Sequence, residues 1–87
     1  MELNCPLCYR TDSMAQRRVG NCVNLSATGV LFEAEEALAP GDAVKIELVP
    51  KLTLSPPLIA MVKILRVEPR RVGGGFRLAG TIERVLN

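Results

Sequence analysis

The sequence predicts an all-β fold, a small six-stranded antiparallel barrel formed as one domain over residues 1–87. Three observations point there. Six short stretches are apolar in alternation or in brief runs, and Pro, Gly, Asn, Asp or Ser bounds each of them. No stretch sustains an apolar stripe at helical spacing. A chain of 87 residues with 48% hydrophobic content can fill one modest core and no more.

The first strand covers Glu2 to Arg10. Leu3, Cys5, Leu7 and Tyr9 share one face and Asn4, Cys8 and Arg10 the other, the period of two that a pleated strand requires. Pro6 has no N–H to give a ladder, so it suits an edge or a strand start. Thr11-Asp12-Ser13 is a turn cluster, and Met14-Ala15-Gln16 has no strong preference. Arg17 to Val23 is the second strand, where Gly20 implies a bulge or a close backbone approach.

The polar hexad Asn24-Leu25-Ser26-Ala27-Thr28-Gly29 then separates two apolar runs. Asn and Ser side chains bond neighbouring backbone groups and favour tight turns. Gly29, with no Cβ, either takes φ > 0 or lets another group approach its backbone. The hexad reads as a plain strand connection or as a polar notch at a barrel mouth, able to hold phosphate or a base edge. Arg17 and Arg18 precede it on the same strand and are candidate ligand contacts; the alternative for them is a solvated strand end.

Val30 to Ala34 is the third strand. Glu33 to Ala39 has room for one helical turn, which Pro40-Gly41 stops. Ala43 to Val49 alternates cleanly, with Val44, Ile46 and Leu48 inward and Lys45 and Glu47 outward, and Pro50 ends it. Lys51 to Pro57 is a loop or a ragged strand end. Leu58 to Val67 is apolar on both faces: Ile59, Met61, Leu65 and Val67 share one with Lys63, and Leu58, Ala60, Val62, Ile64 and Arg66 share the other. Such a strand packs against the barrel interior and something else, either another subunit in a homodimer or a cover from the termini. Glu68 to Gly75 is a hairpin turn whose glycines supply φ > 0, and its Arg70-Arg71 pair is solvated or touches an anion. Gly75 to Ile82 returns as a strand with Phe76, Leu78, Gly80 and Ile82 inward, and Glu83 to Asn87 is a short tail.

Composition narrows the chemistry. The chain has no His, no paired carboxylates beside a nucleophile and no complete metal set, so the reading is a non-enzyme without a cofactor. Cys5-Pro6-Leu7-Cys8 spells C-x-x-C. No helix pattern follows it to lower a thiol pKa, and Cys22 is the only further thiol for a zinc site. Strand cysteines, reduced in the cytoplasm, are the simpler account. Net charge is +2 and the aromatics are Tyr9, Phe32 and Phe76 alone, too little field and too few stacking platforms for a nucleic-acid partner. Arginine supplies eight of eleven cations, a residue suited to phosphate and guanine. No apolar run reaches membrane-span length and no signal-peptide layout opens the chain, which gives a cytoplasmic expectation with no membrane partner.

Asn24-x-Ser26-x-x-Gly29, set in Val23-Asn24-Leu25-Ser26 and Gly29-Val30-Leu31-Phe32, resembles the [D/N]-x-S-x-x-G signature of the PilZ family. Leu38-x-x-Gly41-Asp42-x-Val44-x-Ile46-x-Leu48 and Val62-x-x-x-Arg66-Val67 are similar to later strands of that family, so the likeness runs from about Leu3 to Ile82. The resemblance implies a six-stranded antiparallel barrel. It also implies binding of cyclic di-GMP, with Asn24, Ser26 and Gly29 as contacts. The family's second signature, R-x-x-x-R, is expected before the Asn and is absent there: Arg10 is followed four residues on by Met14, Arg17 by Asn21 and Arg18 by Cys22. The family spacing puts that arm around or before Met1, so the chain is expected to begin at its first barrel strand.

Each charge-assisted hydrogen bond lost costs about 1.5–3 kcal/mol. Losing two weakens binding by roughly 10²–10⁴-fold unless Arg17, Arg18 or a partner's arginines substitute. Two roles follow: a cyclic di-GMP receptor with a reduced site, or a protein-interaction adaptor in pilus or motility regulation. The adaptor requires an exposed apolar patch on the Leu58–Val67 strand.

Overall fold

A computed structural model of the chain describes residues 2–48 and 57–87. The Glu2 and Leu3 side chains, the expected strand end at Val49-Pro50 and all but Pro57 of the expected loop lie outside the described residues. Six strands form, as the sequence predicts: β1 Glu2–Arg10, β2 Arg18–Leu25, β3 Gly29–Ala34, β4 Ala43–Leu48, β5 Leu58–Pro69 and β6 Phe76–Val85. They close into a barrel in the order β1-β2-β3-β6-β5-β4, every neighbouring pair antiparallel. The seam is the β1–β4 ladder, from Leu7 opposite Leu48 to Arg10 opposite Lys45. Closure removes sheet edges. Pro6 therefore sits within β1, one residue before that ladder, rather than on an edge.

The alternation sets the core. Cys5, Leu7 and Tyr9 of β1, Val44, Ile46 and Leu48 of β4, and Ala60, Val62 and Ile64 of β5 are buried. Tyr9 and Phe32 pack together in the core, ring centroids 5.9 Å apart and tilted by 47°. Gly20 resolves as a close approach: a Cβ there would collide with the Glu33 carbonyl oxygen. The hairpin glycines Gly73, Gly74 and Gly75 all take positive φ, as their turn requires.

Three expectations need correction. The helical turn over Glu33–Ala39 does not form. Glu33 and Ala34 complete β3, and the segment beyond them spends its hydrogen bonds elsewhere. Ala39 N donates to Asp42 Oδ2 at 2.8 Å, Asp42 N to Ala39 O at 3.0 Å, and Gly41 N to Ile64 O on β5 at 2.7 Å. The expected C-terminal tail is largely strand: β6 continues to Val85, with Glu83 absorbed in a bulge, and Leu86 N still donates to Ile59 O at 2.7 Å. The third concerns β5. A bulge between Ile64 and Arg66 shifts the facing by one residue, so Arg66 is exposed and Val67 packs against the core, the reverse of simple alternation.

Because neighbouring strands run in opposite directions, the connections segregate. The loops β1–β2, β3–β4 and β5–β6 share one end of the barrel. The β2–β3 turn shares the other with the start of β1 and the end of β6. No helix among the described residues is long and apolar enough to cross a membrane.

Candidate functional site

The polar hexad forms the β2–β3 connection. A bulge between Cys22 and Asn24 precedes it, so that Asn24 faces Leu31 of β3 on one side and Glu2 of β1 on the other. Extra residues of this kind bend a strand and re-aim its side chains. Ser26 N donates to Gly29 O at 2.9 Å and closes the turn. Ser26 Oγ accepts from Gly29 N at 3.1 Å and lies 3.4 Å from Gly29 O, a side-chain brace of the kind Ser supplies in turns. Two bonds moor the turn to β6: Ile82 N to Thr28 O at 2.8 Å and Thr81 Oγ1 to the same oxygen at 3.5 Å.

Gly29 does not take positive φ. Its role is the second one expected of it: a Cβ there would stand 3.3 Å from the Gly80 carbonyl oxygen, tighter than a side chain normally tolerates. Asn24, Ser26, Ala27 and Thr28 are exposed. The N–H groups of Ala27 and Thr28 have no acceptor among the described residues. The turn therefore offers an amide side chain, a braced hydroxyl and two backbone donors, which suit an anionic or base-edge acceptor.

Arg17 and Arg18 are not brought to this turn. The eight residues of β2, at about 3.3 Å each, put Arg18 roughly 25 Å from Ser26. Both have local partners at the far end. Arg17 Nη1 lies 3.2 Å from Glu47 Oε1, and Arg18 Nη1 lies 2.9 Å from Glu36 Oε1. Glu36 Oε2 accepts from the Tyr9 hydroxyl at 2.9 Å. Burial, and then the Glu36 hydrogen bond, push Tyr9 up to about 12.

The far end also carries clefts. One of about 480 Å³ is lined by Glu33, Glu68, Pro69, Arg70, Arg71, Val72 and Arg77. Glu33 is its hub. Arg77 Nη2 and Arg70 Nε reach Glu33 Oε2 at 2.9 and 3.2 Å. The hydrogen bond from Arg77 does most to hold the Glu33 carboxyl below its usual range. Arg70 is thus engaged with Glu33, and both members of the hairpin pair, Arg70 and Arg71, are exposed. Among the cysteines, Cys5 and Cys22 are buried opposite one another across β1–β2, and Cys8 is half-buried.

Two cations near the β2–β3 turn escaped simple sequence reasoning. Lys63 and Arg66 both lie on the outer face of β5, whereas strict alternation puts Arg66 inside. An arginine at an inward position between Ile64 and a further apolar residue is itself the signal for the bulge that the structure contains.

Comparison with known proteins follows from this geometry. A family model described as PilZ domain matches residues 3–85. No curated protein matches the chain. Among solved structures, the chain is similar to one described as the Bacillus subtilis inhibitor of motility (MotI/DgrA), with a TM-score of 0.79 at 9% identity, over 99% of this chain and 41% of that one. At that identity the likeness is one of fold, and this chain spans less than half the length of the Bacillus protein.

Proposed function

The chain belongs to the PilZ domain family, and from that premise we propose that it is a regulatory binding module, not an enzyme, that takes cyclic di-GMP at its β2–β3 turn. The observation that carries this reading is the placement of the family signature. Asn24 and Ser26 are exposed at the rim, and Gly29 lies beside them where a Cβ would crowd the Gly80 carbonyl oxygen. The ligand has phosphate oxygens and guanine edges, and the turn presents donors for both. A cytoplasmic location belongs to the same proposal.

The reading includes weak binding by this chain on its own. No R-x-x-x-R pair precedes Asn24, and Arg17 and Arg18 are committed to Glu47 and Glu36 far from the turn. Two missing charge-assisted hydrogen bonds correspond to roughly 10²–10⁴-fold in affinity. Calorimetric titration with cyclic di-GMP tests the proposal. Saturable binding that Ser26→Ala or Asn24→Ala abolishes is expected, and absence of heat at millimolar ligand would end it.

A second reading, a protein-interaction adaptor in motility or pilus regulation, draws on Leu65, which is 58% exposed on the outer face of β5. Its surface is smaller than the sequence suggests, because Ile59 and Met61 are half-buried and Val67 turns inward. The fold likeness to an inhibitor of motility is compatible with either role. Capture of a defined protein partner that Leu65→Glu abolishes, with no nucleotide binding, would favour the adaptor.

A further inference from the structure

We infer that Lys63 and Arg66, on the outer face of β5, supply the cationic half of the nucleotide site, so that the ligand lies flat across β3 and β6 between them and the β2–β3 turn. This inference rests on the cyclic di-GMP reading of that turn and deepens it.

The ladder registers carry the argument. Asn24 pairs with Leu31, Leu31 with Ala79, and Ala79 with Arg66, one continuous row across β2, β3, β6 and β5. Gly29 pairs with Thr81, and Thr81 with Lys63, the adjacent row two residues away on β3 and β6. Cross-strand partners share a face of the sheet. Leu31, Ala79 and Thr81 alternate with the buried Val30, Phe32, Leu78 and Gly80, so this face is the outer one. Strands lie about 4.8 Å apart, which puts Lys63 roughly 10 Å from Gly29 and Arg66 roughly 14 Å from Asn24 at the backbone. Arg66 now points along β5 to Glu68, and turning it and Lys63 toward the turn would shorten both spans.

The composition of this face suits a cyclic dinucleotide. Gly29, Ala79 and Thr81 are small and leave a shallow floor, with Leu31 as an apolar surface for a flat ring. Polar donors stand at one margin and two cations at the other, one for each phosphodiester. Lys63 is exposed with no ion-pair partner among the described residues. Arg66 Nε lies 2.6 Å from Glu68 Oε1, but both side chains are well exposed, and such a pair yields readily to phosphate. The positive field extends along the next row, where Lys45 and Arg84 flank Met61. The bulge at Leu65 is what makes the site possible, because without it Arg66 would point into the core.

The test is titration of the intact chain with cyclic di-GMP, using Lys63→Gln, Arg66→Gln, the double variant, Ser26→Ala and, as a control, Arg71→Gln at the opposite end. Each single glutamine variant on β5 is expected to weaken binding about tenfold or more, with unchanged melting temperature, since both side chains are exposed. Glu68→Gln, which releases Arg66, is expected to tighten binding, and Arg71→Gln to leave it unaltered. Wild-type affinity in the double variant, with binding still lost in Ser26→Ala, overturns this inference and leaves the turn reading intact. Equal losses in Arg71→Gln and the β5 variants reduce the effect to overall charge and also overturn it. No binding by the wild-type chain overturns both.

Discussion

Tyr9 donates its phenolic hydrogen bond to Glu36 Oε2 at 2.9 Å, across 27 residues of chain and onto the loop that follows β3. Arg18, the cross-strand partner of Tyr9, holds the other carboxylate oxygen at 2.9 Å. The three side chains tie β1, β2 and the β3–β4 connection together at the end of the barrel away from the β2–β3 turn. The buried Tyr9 ring gains a polar partner, and the loop gains an anchor in place of the helical turn it does not form.

The phenol gives a clean alkaline reporter, because Tyr9 is the chain's only tyrosine. Its folded value of about 12 lies above the ordinary 10.0, so the neutral phenol is favoured in the fold. The stability this adds is fully present below pH 10 and is lost as pH rises toward 12. Tyrosinate absorbance in the native protein is expected to appear only near the upper value, while denatured protein titrates near the lower one. Tyr9→Phe should cost about 1 kcal/mol in denaturant melts at neutral pH and flatten the alkaline limb.

Glu33 reports at the acid end. Its folded carboxyl lies below the ordinary 4.5, with hydrogen bonding from Arg77 as the largest cause. The stability it contributes is therefore present above pH 4.5 and is lost as pH falls through the lower folded value. The Glu33 side chain is only 14% exposed, but its arginines are partly solvated, which discounts the pairing. Glu33→Gln is expected to cost about 1–2 kcal/mol at neutral pH and to shallow the fall in melting temperature below pH 4.5.

The cysteines should separate by rate. Burial pushes the Cys22 thiol up to about 11, and thiolate is the reactive form. Cys5 is buried opposite it, while Cys8 is half-buried. A thiol reagent at neutral pH is expected to modify one group quickly and two only as the barrel opens, and Cys8→Ser should remove the fast phase. Three equally fast thiols would contradict the burial described.

Period-two patterning made most of this barrel legible in advance. Val44, Ile46 and Leu48 fall inward as their alternation requires, and the 73–75 glycines turn the chain where φ > 0 is needed. What the pattern misses is where a strand breaks its own period. At Leu65 one extra residue reverses the faces of Arg66 and Val67, and at Glu83 another carries β6 past the point where apolar residues thin out. Bulges are settled by pairing with a neighbour, which a single strand's sequence does not display. The turn was legible because Asn, Ser and Gly act locally there. The distance from Ser26 to Arg17 and Arg18 was not, since proximity in sequence along an extended strand is separation in space.

The central claim is that the outer rim around Ser26 receives a cyclic dinucleotide, and amide chemical shifts of the labelled chain titrated with cyclic di-GMP test it most directly. Saturable shifts centred on Ala27, Thr28, Gly29 and Thr81, absent in Ser26→Ala, are the expected result. Shifts confined to the Arg70–Gly75 hairpin, or none at millimolar ligand, would contradict it.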